Sequence, residues 1–230
     1  MRTLLRLANV RDPGSLACRL RAKRFNLFLS LISDLEAPVR IVDLGGTVNF
    51  WETMGVAGDS SFHVTVVNID PQDSSFSNIR FVEADATNLS MFHEDEFDVG
   101  FSNSAIEHLF SFENQKKMAS EILRVAKSIW VQTPNYWFPV EPHFLCPFWQ
   151  FMPVPVRAFI VSKMRVGQRG PYPSYEKALE SVREIRLLSR RDLNRLFPSG
   201  EIFPEKFFLL NKSWIVVDGE LKRFLNDLRL

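Results

Sequence analysis

Along the chain, apolar side chains gather into short continuous runs before they form a helical stripe. The runs are 39–44 (VRIVDL), 64–69 (VTVVNI), 79–83 (IRFVE), 97–101 (FDVGF) and 129–132 (IWVQ), rich in β-branched residues. A strand with one wet face alternates apolar and polar positions. A run apolar on both faces predicts a parallel strand covered by helices on either side. Between the last two runs, 113–127 (ENQKKMASEILRVAK) sets Met118, Ile122, Val125 and Ala126 at helical spacing. Such alternation predicts an α/β fold: a Rossmann-like doubly wound sheet whose ligand lies beyond the carboxyl ends of its strands.

The pattern breaks after Thr133. Six prolines from Pro134 to Pro155 stand among Trp137, Phe138, Phe144, Phe148, Trp149 and Phe151. Proline at that density excludes a long helix or a central strand. Order resumes at 189–197 (SRRDLNRLF), where Ser189 and Asp192 are spaced as a capping box. Two β-like runs follow, 201–209 (EIFPEKFFL) and 213–217 (SWIVV), around a polar "NK". They predict an antiparallel hairpin at one edge of a mostly parallel sheet. At the other end, 25–32 (FNLFLSLI) follows 24 residues with seven basic side chains and one acid, Asp12. No small-residue cleavage site follows it, and the run is far shorter than the ~20 residues of a membrane span. It predicts an amphipathic helix packed on the domain, with a membrane-surface anchor as the alternative. The expected organisation is one domain: an N-terminal helical segment (1–36), a core (37–133), a lid-like insertion (134–175) and a C-terminal helix with hairpin (176–230).

Composition narrows the class. A 46% apolar fraction excludes global disorder, and a net charge of +1 gives no argument for nucleic acid as a partner. Cys18 and Cys146 stand alone, so neither a disulfide framework nor a metal site is expected, and a cytoplasmic setting is simplest.

The chemistry lies at the strand ends. Asp43 closes the first run two residues before Gly45, Asp70 closes the second, and Asp85 follows the third in "FVEADA". In a parallel sheet all three share one edge. Asp70 lies near the ~20-residue spacing at which a dinucleotide fold places an acid on ribose hydroxyls. A pyrophosphate ligand, however, wants G-x-G-x-x-G, and Gly45-Gly46 is followed by Thr47, Val48 and Asn49. A turn that begins from an acid repels a pyrophosphate. It suits a ligand carrying an ammonium and a sulfonium, which favours S-adenosylmethionine over a nicotinamide dinucleotide.

With "VDLGG", "VNID", "EADA" and "FDVGFSNSAIEHL" in that order, the sequence resembles the class I S-adenosylmethionine-dependent methyltransferases over residues 39–135. It departs from their acid-x-Gly-x-Gly-x-Gly loop at Thr47 and Asn49. The resemblance implies Asp43, Gly45 and Gly46 at the methionine end, Asp70 on the ribose, and Asp85 with Ala86 near the adenine. It also implies Ser102 and Asn103 facing the sulfonium and the acceptor.

An oxygen or nitrogen acceptor can need a base, and His108 and His143 follow the fourth and fifth strands on the correct edge. Both are candidate catalytic residues, and a hydrogen-bonding role is the alternative for each. Arg157, Lys163, Arg165 and Arg169 follow the aromatic segment, in keeping with an anionic acceptor. The expected function is methylation, with oxygen favoured, of a small-molecule or glycan-like acceptor, anionic or lipid-linked, with peripheral membrane contact. Two alternatives stay open: a methyltransferase-like binding protein without catalysis, and a protein or nucleic-acid methyltransferase. The acceptor and the oligomeric state are not legible in the sequence.

Overall fold

The computed structural model describes residues 15–227, so the basic segment at residues 1–14 lies outside the described residues. Helix α1 (Leu16–Ile32) starts at Ser15, whose hydroxyl accepts from the Cys18 backbone N–H at 3.0 Å. There follow β1 (Val39–Leu44), the short α2 (Val48–Thr53), β2 (Phe62–Asn68), β3 (Ile79–Glu83) and β4 (Phe97–Asn103). A 3-10 turn (Ile106–His108) leads to α3 (Phe112–Val125) and β5 (Ala126–Pro134). Next come β6 (Val140–Glu141), β7 (Cys146–Pro147), α4 (Val154–Lys163), α5 (Tyr175–Arg183) and α6 (Arg190–Leu196). The chain closes with β8 (Glu201–Phe207), β9 (Leu210–Asp218) and α7 (Leu221–Asp227).

The main sheet has the order β3-β2-β1-β4-β5-β9-β8. Its first five strands run parallel, β9 runs antiparallel to β5, and β8 antiparallel to β9. This is the expected doubly wound sheet with an antiparallel edge hairpin. On one face α1, α2 and α7 bury Phe28, Trp51, Phe101, Trp130 and Leu221; on the other α3 and α6 bury Val42, Met118, Ile122, Leu193 and Phe197. The N-terminal apolar run is thus a packed helix, with Phe28 4.7 Å from Phe101 and 5.7 Å from Trp130 between ring centroids.

Two expectations need correcting. The hairpin turns at Phe208–Leu209, not at Asn211–Lys212. The carbonyls of Asn211 and Lys212 accept from the side chain and backbone of Asn135, so the polar pair is held in the strand. A register shift between Glu205 and Lys206 and a left-handed Phe208 absorb the difference. The lid also extends further than 134–175. Ala178 and Val182 of α5 share a separate core with Phe144, Trp149 and Val161, so α5 belongs to the lid by packing. Proline density does what the sequence implied: β6 and β7 are two residues each, and α4 begins only at Val154.

Helix α3 lies close on β4. A Cβ at Gly100 would sit 2.6 Å from Ile122 Cγ1, a buried side chain with no room to withdraw. Gly100→Ala should therefore cost ~1–3 kcal/mol by overpacking, read from urea unfolding. A midpoint equal to wild type would show that α3 can shift freely.

Candidate active site

The turn after β1 is built around a buried acid. Asp43 is 1% exposed, and its Oδ2 accepts from the Trp51 indole N–H at 2.7 Å. Its Oδ1 is buried without a partner. Burial pushes the Asp43 carboxyl up to about 7, with the Trp51 hydrogen bond opposing the shift. A Cβ on Gly46 would overlap this carboxylate, while Gly45 has φ +75° and would press a Cβ against that of Ala105 at 2.5 Å. The two glycines therefore let the chain turn over the acid and pass close to the end of β4. Thr47 caps α2, its hydroxyl accepting from the Phe50 N–H at 3.2 Å, which gives the departure at the second glycine place of the loop a structural role.

The loop is tied down by residues that sequence reasoning missed. Asn68 Nδ2 donates to the Gly46 carbonyl at 2.8 Å, and Gln72 Oε1 accepts from the Val48 N–H at 2.8 Å. The only available signal was a polar Asn inside the apolar run "VTVVNI". Asp70 lies just past β2 and is exposed; its backbone N–H donates to Asn68 Oδ1 at 3.1 Å. Asp85 is exposed, and its Oδ1 accepts from the Thr87 N–H at 2.8 Å, while Ala86 packs against the core below. Asn103 borders a narrow recess with Arg21, Arg24, Phe50 and Trp130. Ser102 differs from the expectation. It is fully buried and donates its hydroxyl to the Leu44 carbonyl at 3.1 Å, so it fastens β4 to β1.

The two candidate histidines meet. Nε2 of His108 and Nε2 of His143 are 3.1 Å apart, although 35 residues separate them in sequence. Nδ1 of His143 lies 2.6 Å from Glu141 Oε1, and Nδ1 of His108 lies 2.8 Å from Glu184 Oε1. Arg169 holds Glu184 at 2.7 Å. Beside them Glu107 is fully buried, its Oε2 accepting from the Thr133 hydroxyl at 2.9 Å. Desolvation disfavours a charged His143, but the Glu141 hydrogen bond and the charges of Glu141 and Glu107 outweigh it and raise the ring's pKa. Hydrogen bonds from His108 and from Arg169 hold Glu184 down, to about 2.

Next to this cluster is a cavity of about 380 Å³ lined by Tyr136, Trp137, Glu141, Arg157, Arg186 and Asp192, among others. Arg157 has a buried Nε without a hydrogen-bond partner, and burial lowers its pKa. The lid therefore supplies both a cavity wall and one of the two histidines.

Comparison with known proteins bears on this edge of the sheet. Residues 45–128 match the family model described as a methyltransferase domain. No curated protein matches the chain in sequence. Among solved structures, one similar fold is a protein assigned as a methyltransferase of an antibiotic biosynthesis pathway in Anabaena variabilis. It is 16% identical at TM-score 0.51, with 80% of this chain and 64% of that one covered. Another is the 1,6-didemethyltoxoflavin-N1-methyltransferase of Burkholderia thailandensis, with bound S-adenosylhomocysteine. It is 13% identical at TM-score 0.52, with 94% and 86% covered. The CurJ carbon methyltransferase is 10% identical at TM-score 0.54, with 94% and 65% covered. The chain thus spans less than two thirds of the first and last of these proteins.

The raised Asp43 pKa has a stability consequence. Folded Asp43 holds its proton up to about pH 7, whereas an unfolded Asp releases it near 3.8. The folded state binds more protons between those values, so this group's contribution to stability falls as pH rises through that window. Asp43→Asn should remove up to ~4 kcal/mol of that fall, seen by comparing urea unfolding of both proteins at pH 4.5 and pH 8. Parallel stability curves for the two proteins would contradict the assignment.

Proposed function

We propose that this chain is a class I S-adenosylmethionine-dependent methyltransferase that methylates an oxygen of a small anionic acceptor held in the lid cavity. The observation that carries the reading is the cavity itself: Glu141 belongs both to its wall and to the histidine pair. Two of the similar solved structures are an N1-methyltransferase and a carbon methyltransferase, so oxygen is chosen on the chemistry of this site.

The residues present fit the cofactor. The unpartnered, buried Oδ1 of Asp43 suits a cationic group arriving at the glycine turn. Asp70 offers an exposed carboxylate, an acceptor for two vicinal hydroxyls. Asp85, Ala86 and Asn103 complete the edge in this reading. When bound, S-adenosylmethionine supplies an electrophilic methyl group. The chain's part is to align the acceptor oxygen with it, keep water out and receive a proton. With the methyl donor bound, the acceptor's hydroxyl proton would pass to the His108–His143 pair. Glu141 and Glu184 orient the rings for that transfer.

Arg157 supports an anionic acceptor, because a negative group would relieve its buried, unpartnered Nε. A glycan-like or lipid-linked phosphate has that character. Trp137, Phe148 and Phe159 of the lid are large exposed apolar groups, which suits contact with a membrane surface. Among the described residues no helix is long and apolar enough to cross a membrane.

Asp70→Asn should weaken S-adenosylhomocysteine binding at least tenfold by calorimetry, since each lost charge-assisted bond is worth ~1.5–3 kcal/mol. Equal affinity in a folded variant would remove Asp70 from the site. His143→Ala should lower methyl transfer to an acceptor-containing extract ~100-fold and spare S-adenosylhomocysteine binding. Full turnover in that variant would leave alignment alone as the chain's contribution.

A further inference from the structure

The two histidine rings pose a problem of charge placement. Each presents Nδ1 to a carboxylate, Glu141 at 2.6 Å and Glu184 at 2.8 Å. An ionised carboxylate only accepts, so each Nδ1 carries the hydrogen and each neutral ring keeps a lone pair on Nε2. Those two nitrogens nevertheless face each other at 3.1 Å. Two lone pairs at that separation repel, so a cation belongs between them, either a proton or a metal ion.

Geometry separates the two. A straight N–H···N bond of this length would put the ring centroids about 5.4 Å apart, given ~1.15 Å from centroid to nitrogen. The centroids are 4.8 Å apart and the rings stand at 88°. An ion about 2.05 Å from both nitrogens would subtend about 100°, near tetrahedral, and set the centroids about 4.8 Å apart. A second observation is independent of the rings. Oε1 of Glu107 is buried with no partner, in a residue fully shielded from solvent. A shared proton leaves that oxygen unsatisfied. Glu107, His108 and His143 each bring a ligand atom within 4.8 Å of the others, so a modest inward turn of the carboxylate would let one ion engage all three.

We infer that Glu107, His108 and His143 bind a single divalent transition-metal ion of the zinc class, with Glu141 and Glu184 as the carboxylates that fix the ring tautomers. Two nitrogens and one oxygen leave a coordination position open, as in catalytic rather than structural zinc sites. The carboxylate behind each ring is the usual outer support of a metal-bound histidine. No local spacing joins residues 107 and 108 to 143, so the set is invisible in the sequence alone. If the methyltransferase reading also holds, the rings would hold the ion instead of accepting the proton themselves, and the ion would supply the acidity that lets the acceptor hydroxyl release its proton to water. The binding site does not depend on that reading.

The test uses the full chain, stripped with chelator and titrated with Co²⁺ while visible absorption is followed. One equivalent should bind, with the d–d bands of a four- or five-coordinate ion, and Zn²⁺ should displace it. His143→Ala and Glu107→Gln should each weaken binding ~100-fold or more, and Glu184→Gln ~10–100-fold, since the last removes only the outer carboxylate. Circular dichroism and S-adenosylhomocysteine calorimetry on the same samples show that each variant is folded. His143, half-buried in a lid loop rather than in the core, decides the matter if Glu107→Gln does not fold. A wild-type protein that develops no d–d bands, or a His143→Ala protein that binds as tightly, overturns the metal site. S-adenosylhomocysteine binding without Co²⁺ binding sinks only this inference; Co²⁺ binding without S-adenosylhomocysteine binding sinks only the methyltransferase reading.

Discussion

Burial of both faces of β1, β4 and β5 is the constraint on which the rest depends. With α1 and α2 on one side and α3 on the other, these strands have no wet face, so their polar residues are confined to the ends. Asp43, Ser102, Asn103 and Thr133 all fall in the last residues of their strands. The parallel arrangement then brings those ends to a single edge. A polar site there is a consequence of how the core is filled.

The same logic explains what could be read in advance. Runs that are apolar throughout have one comfortable structural solution, so the strands and their covered, mostly parallel arrangement were legible from residue pattern alone. The acids at their ends were legible for the same reason. Side-chain direction was not: Ser102 stands at a strand end, yet its hydroxyl is spent on the Leu44 carbonyl. Nor were the stitches by Asn68 and Gln72, because single amide residues carry no periodic signal.

The lid was harder still. Its aromatic and proline content announced a break in the fold but not a separate core around Phe144 and Trp149. The sequence could suggest His108 and His143 as separate candidates. Their contact depends on how the chain folds back over a sequence separation of 35, and on Glu141 and Glu184 arriving from either end of the lid. Long-range polar clusters of this kind are set by tertiary packing, and no local pattern encodes them. The misplaced hairpin turn has a similar origin, since Asn211 and Lys212 are polar but serve the backbone of Asn135.

The meeting of Asn135 with Leu188 has a consequence for how this protein can change over generations. Asn135 bridges to Leu188, and the Tyr136 N–H donates to the Leu188 carbonyl at 3.1 Å, so the lid leaves and rejoins the sheet at neighbouring points. A segment whose two ends are adjacent can be lengthened, shortened or replaced without altering the spacing of the strands that frame it. The core and the lid are therefore free to diverge at different rates. Descendants of one scaffold could acquire new acceptors by exchanging the stretch between these two residues while inheriting the strand edge intact.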